Sequence, residues 1–283
     1  MFVSGFTICR NLVKLGYPFE ESIRSLLPLV DEMIVAVGDS QDKTLEVVEG
    51  IGDKKIKIIK TVWDRSFAIN ARVFAEQTNI ALNACNPTAD WAFYLQGDEV
   101  LHEKDYSSIL RSMEKYQDDK SVLGLMMKYK HFWGDYRTID VYQYRRTTRI
   151  VRPGGVVKSV GDAYGFARSS DERKIDEKSP ELWRYAKGYV YHYGWVKSLQ
   201  ELHEKANAAI EWYHSGKVTQ SEIDLLNKKE LVEKKYFIMK DFKESHPSVM
   251  LKRVSSFPVL AKRRSRWLNP SFYFHVLRHG FKG

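Results

Sequence analysis

The residues best placed to do chemistry lie in one short segment, Tyr94-Leu95-Gln96-Gly97-Asp98-Glu99. It sets two carboxylates directly after Trp91 to Leu95, an apolar run whose composition predicts a strand. Ligands of open α/β sheets bind at the carboxyl ends of the strands. A carboxylate at this point would therefore project into the crevice above the sheet. Its oxygens suit a hard divalent cation, and such a cation can bridge a diphosphate. Two acids in an exposed turn would look the same, and position alone does not separate the two readings.

The elements that would carry this segment follow from periodicity. Phe2 to Cys9, Glu32 to Val37, Lys55 to Thr61 and Trp91 to Leu95 read as strands, and Phe19 to Leu27, Asp42 to Glu49 and Phe67 to Ala84 as helices. The alternation predicts an α/β fold with a mostly parallel mixed sheet flanked by helices. Right-handed crossovers bring the loops after the strands to one edge: Arg10-Asn11, Gly38-Asp39-Ser40, the stretch around Asp64, and Gln96 to Glu99. Beyond Val122 the strand-like segments Leu123 to Tyr129, Thr148 to Val151 and Tyr189 to Tyr193 are separated by polar, aromatic-rich loops. Leu199 to His214, closed by Gly216, and Ser221 to Phe242 read as helices. A short helix follows, with Asn269 as N-cap, Pro270 in its first turn and Gly280 at its end. This divides the chain into a body, 1–198, and a helical C-terminal extension with a basic tail, 199–283.

The 283 residues are 43% hydrophobic, enough for a sizeable core. The net charge of +9 is unevenly placed: eight basic residues and no acidic one follow Glu244, so the first 244 residues carry only the remaining +1. A nearly neutral body argues against a nucleic-acid-binding domain. Lys262-Arg263-Arg264-Ser265-Arg266-Trp267, ahead of Phe272 and Tyr273, suits an anionic membrane surface, or equally a packed helix with a solvated basic flank. Cys9 and Cys85 form no metal-binding spacing and read as buried thiols in a reducing, cytoplasmic setting. The opening Met1-Phe2-Val3-Ser4-Gly5-Phe6 reads as a strand rather than a leader, and no apolar run approaches the roughly 18 residues of a membrane span. The expected location is the cytoplasm, with peripheral contact at the inner membrane face through the tail.

Three segments, in order, carry a resemblance. Ser22-Ile23-Arg24-Ser25-Leu26-Leu27-Pro28-Leu29-Val30-Asp31-Glu32-Met33-Ile34-Val35, Ser40-Gln41-Asp42-Lys43-Thr44, and Asp90-Trp91-Ala92-Phe93-Tyr94-Leu95-Gln96-Gly97-Asp98-Glu99 resemble a helix with its second strand, an "STDGT" segment and a "dWvlylDADE" segment. These belong to family-2-type glycosyltransferases of the nucleotide-diphospho-sugar, GT-A-like fold. The likeness covers residues 1–110 and implies that 1–198 is a catalytic domain. It implies transfer of a sugar from a nucleoside-diphosphate sugar to an acceptor hydroxyl, with inversion, and Mn²⁺ or Mg²⁺ as cofactor. The implied acceptor is a cell-surface glycan or its lipid-linked precursor.

The resemblance also assigns residues. Asp98 would hold the metal. Gln96 stands where the family has its first aspartate and brings no charge, which keeps a catalytically silent, sugar-nucleotide-binding relative as an alternative. Val37 replaces a nucleoside-contacting acid, and Asp39, two residues on, takes that contact or caps the next helix. Arg10 and Asn11 open the nucleotide pocket. Gln77-Thr78-Asn79 matches an "arN" stretch, with Asn79 either at the nucleotide or a structural amide. His192, in Tyr191-His192-Tyr193-Gly194, would complete the metal shell, and Lys197 would approach the diphosphate. An inverting transfer needs a base; Asp162, between Gly161 and Gly165, is the candidate, ahead of Asp135 and Asp140. His131-Phe132-Trp133-Gly134-Asp135-Tyr136 reads as an aromatic loop for the acceptor or as core. Arg145, Arg146, Arg149 and Arg152 would meet an anionic acceptor or form a solvated strand face. A second alternative is an interaction protein whose basic tail binds membrane or nucleic acid.

Overall fold

Val3–Cys9 form strand β1, and every residue of it is buried. A strand covered by helices on both faces has no polar side, so it reads as a continuous apolar run. β1 pairs in parallel with β2 (Glu32–Val37) and with β4 (Trp91–Tyr94), and β2 pairs in parallel with β3 (Ile56–Lys60). Helices α1 (Phe19–Leu26), α2 (Thr44–Gly50) and α3 (Arg72–Asn83) make the crossovers. The computed structural model describes residues 1–67, 70–143, 145–213, 239–258, 267 and 270–280. The predicted α/β class and its sheet flanked by helices are present.

Alternate residues go to opposite faces of the sheet. Cys9, Phe93 and Leu95 pack with Phe19, Ile23 and Leu26 of α1. Phe6, Ile8, Ala92 and Tyr94 pack with Val73, Ala81 and Leu82 of α3. The spatial order β3-β2-β1-β4 means that the chain builds outward from β1 and then returns to its other side. That reversal leaves a crevice between the ends of β1 and β4, where Arg10-Asn11 and Gln96 to Asp98 emerge.

The second half is antiparallel next to β4. β8 (Arg146–Val151) lies between β4 and β6 (Gly124–Trp133), and β6 also takes β7 (Thr138–Asp140) antiparallel. β11 (Trp183–Trp195) runs parallel to β6 and antiparallel to β5 (Glu99–Leu101), with α4 (Tyr106–Lys115) packed against it. β9 (Val157–Val160) and β10 (Gly165–Arg168) make a separate hairpin. Helix α5 (Leu199–Tyr213) matches its predicted span.

Three expectations change here. His131 to Trp133 are not loop residues but the end of β6, and all three are buried. Residues 221–238 of the predicted helix Ser221 to Phe242 lie outside the described residues; its end is strand β12 (Met239–Asp241), antiparallel to β7. Arg145, Arg146, Arg149 and Arg152 are no common face, as shown below. After α6 (Leu251–Ser256), α7 (Pro270–His279) begins at Pro270, and Gly280 follows it at φ 76°, as expected. Gly216, Asn269 and the basic residues 262–264, 266 and 282 lie outside the described residues. Cys9 and Cys85 are buried and free, and burial pushes both thiols well above their ordinary range.

A third cluster joins β6 and β11 to the segment after β12. His246 Nε2 lies 2.9 Å from the Tyr136 carbonyl and must donate, so Nδ1 accepts from the Tyr193 hydroxyl at 2.9 Å. Burial draws this imidazole down to about 4, against the opposing pull of the Tyr136 bond. With the folded value below the ordinary 6.5, its contribution is complete above pH 6.5 and is lost as pH falls toward 4. Urea unfolding at pH 7 and pH 4.5 should show this loss, and His246→Gln should flatten the profile between them.

Candidate functional site

A cleft of about 610 Å³ opens at the β1/β4 reversal. Its floor comes from the strand ends and one wall from α5. Arg10, Asn11, Gln96, Asp98, Asp162 and His192 all line it, as do Lys205 and Trp212 of α5. Asp39 and Asn79 do not.

Strand pairing brings His192 to Asp98 across nearly a hundred residues of sequence. β11 lays His192 opposite Glu99 and opposite His131, and Tyr193 N donates to the Asp98 carbonyl at 2.8 Å. His192 Nε2 then stands 3.2 Å from Asp98 Oδ2. Burial pushes the Asp98 carboxyl up, but His192 and then Lys205 and Lys197 outweigh it and hold the group well below the usual carboxylate range. It is an anion at neutral pH. On its other side His192 Nδ1 is 2.6 Å from His131 Nδ1, with the rings stacked at 4.7 Å. Only one proton fits between two ring nitrogens at that distance. With the proton on His131, His192 Nε2–H donates to Asp98; with it on His192, Nε2 presents a lone pair to the cleft.

Gly194 makes the Asp98–His192 contact possible. A Cβ at that position would overlap Asp98 Oδ2 and lie 3.0 Å from His192 Nε2. Gly194→Ala should drive the two side chains apart at a cost of roughly 1–3 kcal/mol. It should also weaken nucleotide binding, which denaturant unfolding and isothermal titration of the same sample will check.

The pair fits a small divalent cation as two neighbouring ligands. Mg²⁺ ligands stand about 2.1 Å from the ion, so two at right angles are about 3 Å apart, close to the separation seen here. Among the described residues no group of three or more His, Cys, Asp and Glu could hold a metal. Asp98 and His192 would therefore share the ion with phosphate oxygens and water.

Gln96 does something an aspartate cannot. Its amide Nε2 donates to the Ala163 carbonyl at 3.3 Å. Ala163, at φ 62°, and Gly161, at φ 64°, shape the turn between β9 and β10 that presents Asp162 to the cleft. The next carbonyl, Tyr164 O, accepts from Arg149 Nη1 at 2.9 Å and Thr147 Oγ1 at 2.7 Å. Three side chains thus hold the turn by its backbone. Asp162 Oδ1 accepts from Tyr164 N at 3.3 Å, as Asp135 and Asp140 accept from their own turns at Arg137 N and Tyr142 N, but neither of those two lines the cleft.

Asp39 serves Arg10. Its Oδ1 accepts from Arg10 Nε at 2.9 Å and from Trp63 N at 3.2 Å. Burial opposes its charge, but the bonds from Arg10 and Trp63 prevail and keep it below the usual range. The Arg10 guanidinium lies 5.5 Å from the Trp63 ring and 5.0 Å from the Trp212 ring. Asn79 clamps α3 to β9 through the Ser159 backbone, with Nδ2 to O at 3.2 Å and Oδ1 from N at 2.7 Å.

Several residues named from the sequence have other roles, and Lys205 is one that the sequence does not single out. Glu99, the second acid of the segment, turns into the core and accepts Arg149 Nε and Nη2, each at 2.8 Å, with Tyr129 OH as a further donor. Arg152 lies flat over Trp91 at 3.7 Å and donates to the carbonyls of Val122, Asp90, Tyr116 and Asp119. These two arginines are buried structural cations, not a patch for an anionic acceptor and not a solvated face. Lys197 donates to the Leu15 carbonyl and sits 3.8 Å from the Tyr17 ring, behind the cleft wall. Of these two lysines, Lys205 is the one that lines the cleft; its Nζ donates to Gly194 O at 2.8 Å. Leu202, residues 204–209 and Trp212 of α5 line the cleft; of these, Leu202, Ala206 and Ala209 read in sequence only as a core stripe.

No family model and no curated protein matches the chain. It is similar in fold to three kinds of solved structure. S. aureus TarS 1-349 is 13% identical, with 82% of this chain and 71% of that one covered and a TM-score of 0.37. Mycobacterium tuberculosis glucosyl-3-phosphoglycerate synthase in complex with Mn²⁺, uridine-diphosphate and phosphoglyceric acid is 13% identical, with 74% and 76% covered and a TM-score of 0.40. The 4-diphosphocytidyl-2C-methyl-D-erythritolsynthase of Anaerococcus prevotii DSM 20548 is 12% identical, with 80% and 94% covered and a TM-score of 0.39. The chain spans 43% of the longer TarS structure. Likeness at this level carries no argument about chemistry, which rests on the residues of the cleft.

Proposed function

We propose that this chain is a glycosyltransferase that moves a sugar from a nucleoside-diphosphate sugar to an acceptor hydroxyl. The observation that carries the proposal is the meeting of Asp98 and His192, 3.2 Å apart, in the crevice between β1 and β4. Residues 1–198 form the catalytic domain, and 199–283 form an extension whose first helix walls the donor cleft.

Arg10, steered by Asp39 and backed by Trp63 and Trp212, sits where the nucleotide enters. Asp98 and His192 would hold Mn²⁺ or Mg²⁺, which when bound offsets the charge of the departing diphosphate. Asp162, on its braced turn, accepts the proton of the acceptor hydroxyl. The acceptor oxygen bonds to the sugar carbon as the bond from that carbon to the phosphate oxygen breaks, with inversion, and nucleoside diphosphate leaves. Gln96 positions this turn and so has a use other than metal binding. The acceptor class is a cell-surface glycan or a lipid-linked precursor.

No helix among the described residues is long and apolar enough to cross a membrane. A cytoplasmic protein that touches the inner membrane face through its tail fits the exposed Trp267, Tyr273 and Leu277 beside α7.

A thermal-shift panel of nucleotide sugars, with and without Mn²⁺, followed by assay of nucleoside-diphosphate release, tests the proposal. Stabilisation with turnover is the expected result. Tight binding without turnover would make the chain a non-catalytic sugar-nucleotide-binding relative. Binding to membrane or nucleic acid that vanishes on deletion of 261–283, with no nucleotide bound by the body, would make it an interaction protein.

A further inference from the structure

We infer that Lys205 is the fixed positive charge against which the donor's diphosphate is seated, so that nucleoside diphosphate enters this cleft without a divalent cation. The inference rests on the transferase reading and adds to it the group that recognises the diphosphate.

Two other cations lining the cleft are matched to carboxylates, Arg10 to Asp39 and Lys14 to Glu204, each at 2.9 Å. Lys205 is held differently. Its Nζ donates to a neutral carbonyl, Gly194 O, at 2.8 Å, and stands 4.3 Å from the Trp195 ring and 5.5 Å from the Tyr17 ring. Among the described residues it has no carboxylate within ion-pair distance. An ammonium carries three donors, and one is used.

The position of that carbonyl is informative. Gly194 is the residue packed against both Asp98 and His192, so Lys205 is anchored beside the pair that would hold a metal. A second lysine, Lys197, is buried behind the same wall on the Tyr17 ring, and burial draws its amine down to about 7. Like charges weaken each other's binding, and a divalent ion entering here meets an ammonium from the start. A diphosphate is drawn to it, in surroundings of aromatic rings where charges act strongly. Gln96 removes the negative charge that would have tilted the site back toward metal.

Isothermal titration separates the possibilities. The probes are uridine, guanosine, cytidine and adenosine diphosphates, each in EDTA and in Mn²⁺, on the full chain. Lys205→Met keeps the length and the packing against Trp195 while removing the charge; Lys205→Arg keeps the charge. At least one diphosphate should bind wild type in EDTA. Lys205→Met should weaken it roughly tenfold or more, and Lys205→Arg should restore most of that, with melting temperatures matched among the three. Unchanged binding by Lys205→Met overturns the inference, and so does wild-type binding that requires Mn²⁺; either leaves the transferase reading standing. Failure of every diphosphate to bind wild type with and without Mn²⁺ overturns both.

Discussion

Replacing Asp98 by Asn should lower sugar transfer by roughly a hundred- to a thousandfold, the scale on which loss of one preorganised charged group is felt. The substitution keeps the shape of the side chain and removes its charge. Asp98 is 9% exposed and is the anion between His192 and the two lysines. Without it His192 loses its carboxylate partner, and the proposed metal position loses its single carboxylate. In the fold its partners outweigh that group's desolvation penalty, and its loss leaves the lysines without a counter-charge, so the melting temperature should fall as well. Progress curves of nucleoside-diphosphate release, read beside thermal melts, check both halves. A variant that transfers sugar at the wild-type rate would remove Asp98 from the chemistry.

The largest effect on stability is expected at Arg149. Its guanidinium is fully buried and makes two 2.8 Å bonds to Glu99, itself fully buried. Arg149→Met leaves Glu99 as a buried charge without its counter-ion, which costs about 3–5 kcal/mol. The double variant with Glu99→Gln should recover much of this, because it is the unpaired charge rather than the lost attraction that destabilises. Urea unfolding of wild type, the two single variants and the double variant measures the coupling. Arg149 also supports the turn of Asp162 through Tyr164 O, so Arg149→Met should reduce turnover in the fraction that remains folded.

The parallel half of the fold was legible because its signals are local. Strand and helix follow each other with clear turn residues, and β2 spans Glu32–Val37 as predicted. The order β3-β2-β1-β4 then dictates where the loops meet, which is why Arg10, Gln96 and Asp98 were found without coordinates. Asp39 and Asn79 were chosen by position in a pattern, and position does not say where a side chain ends. Asp39 is spent on Arg10 and Asn79 on Ser159. Asp98 and Glu99 are adjacent in sequence, but neighbouring residues of an extended segment face opposite ways, so only Asp98 lines the cleft while Glu99 turns to Arg149. The aromatic stretch from His131 reads equally as loop or as core because its partner in the sheet, β11, lies some sixty residues on; the core reading is the one found. Lys205 could not be seen at all, since a lysine on an amphipathic helix is ordinary until the helix is docked.

A structure of the chain with a nucleoside-diphosphate sugar bound tests the central claim most directly. The account predicts the diphosphate beside Asp98 and His192, within hydrogen-bond reach of Lys205 Nζ, and the nucleoside toward Arg10. A donor bound outside the cleft between β1, β4 and α5, or a cleft left empty at saturating donor, would contradict it.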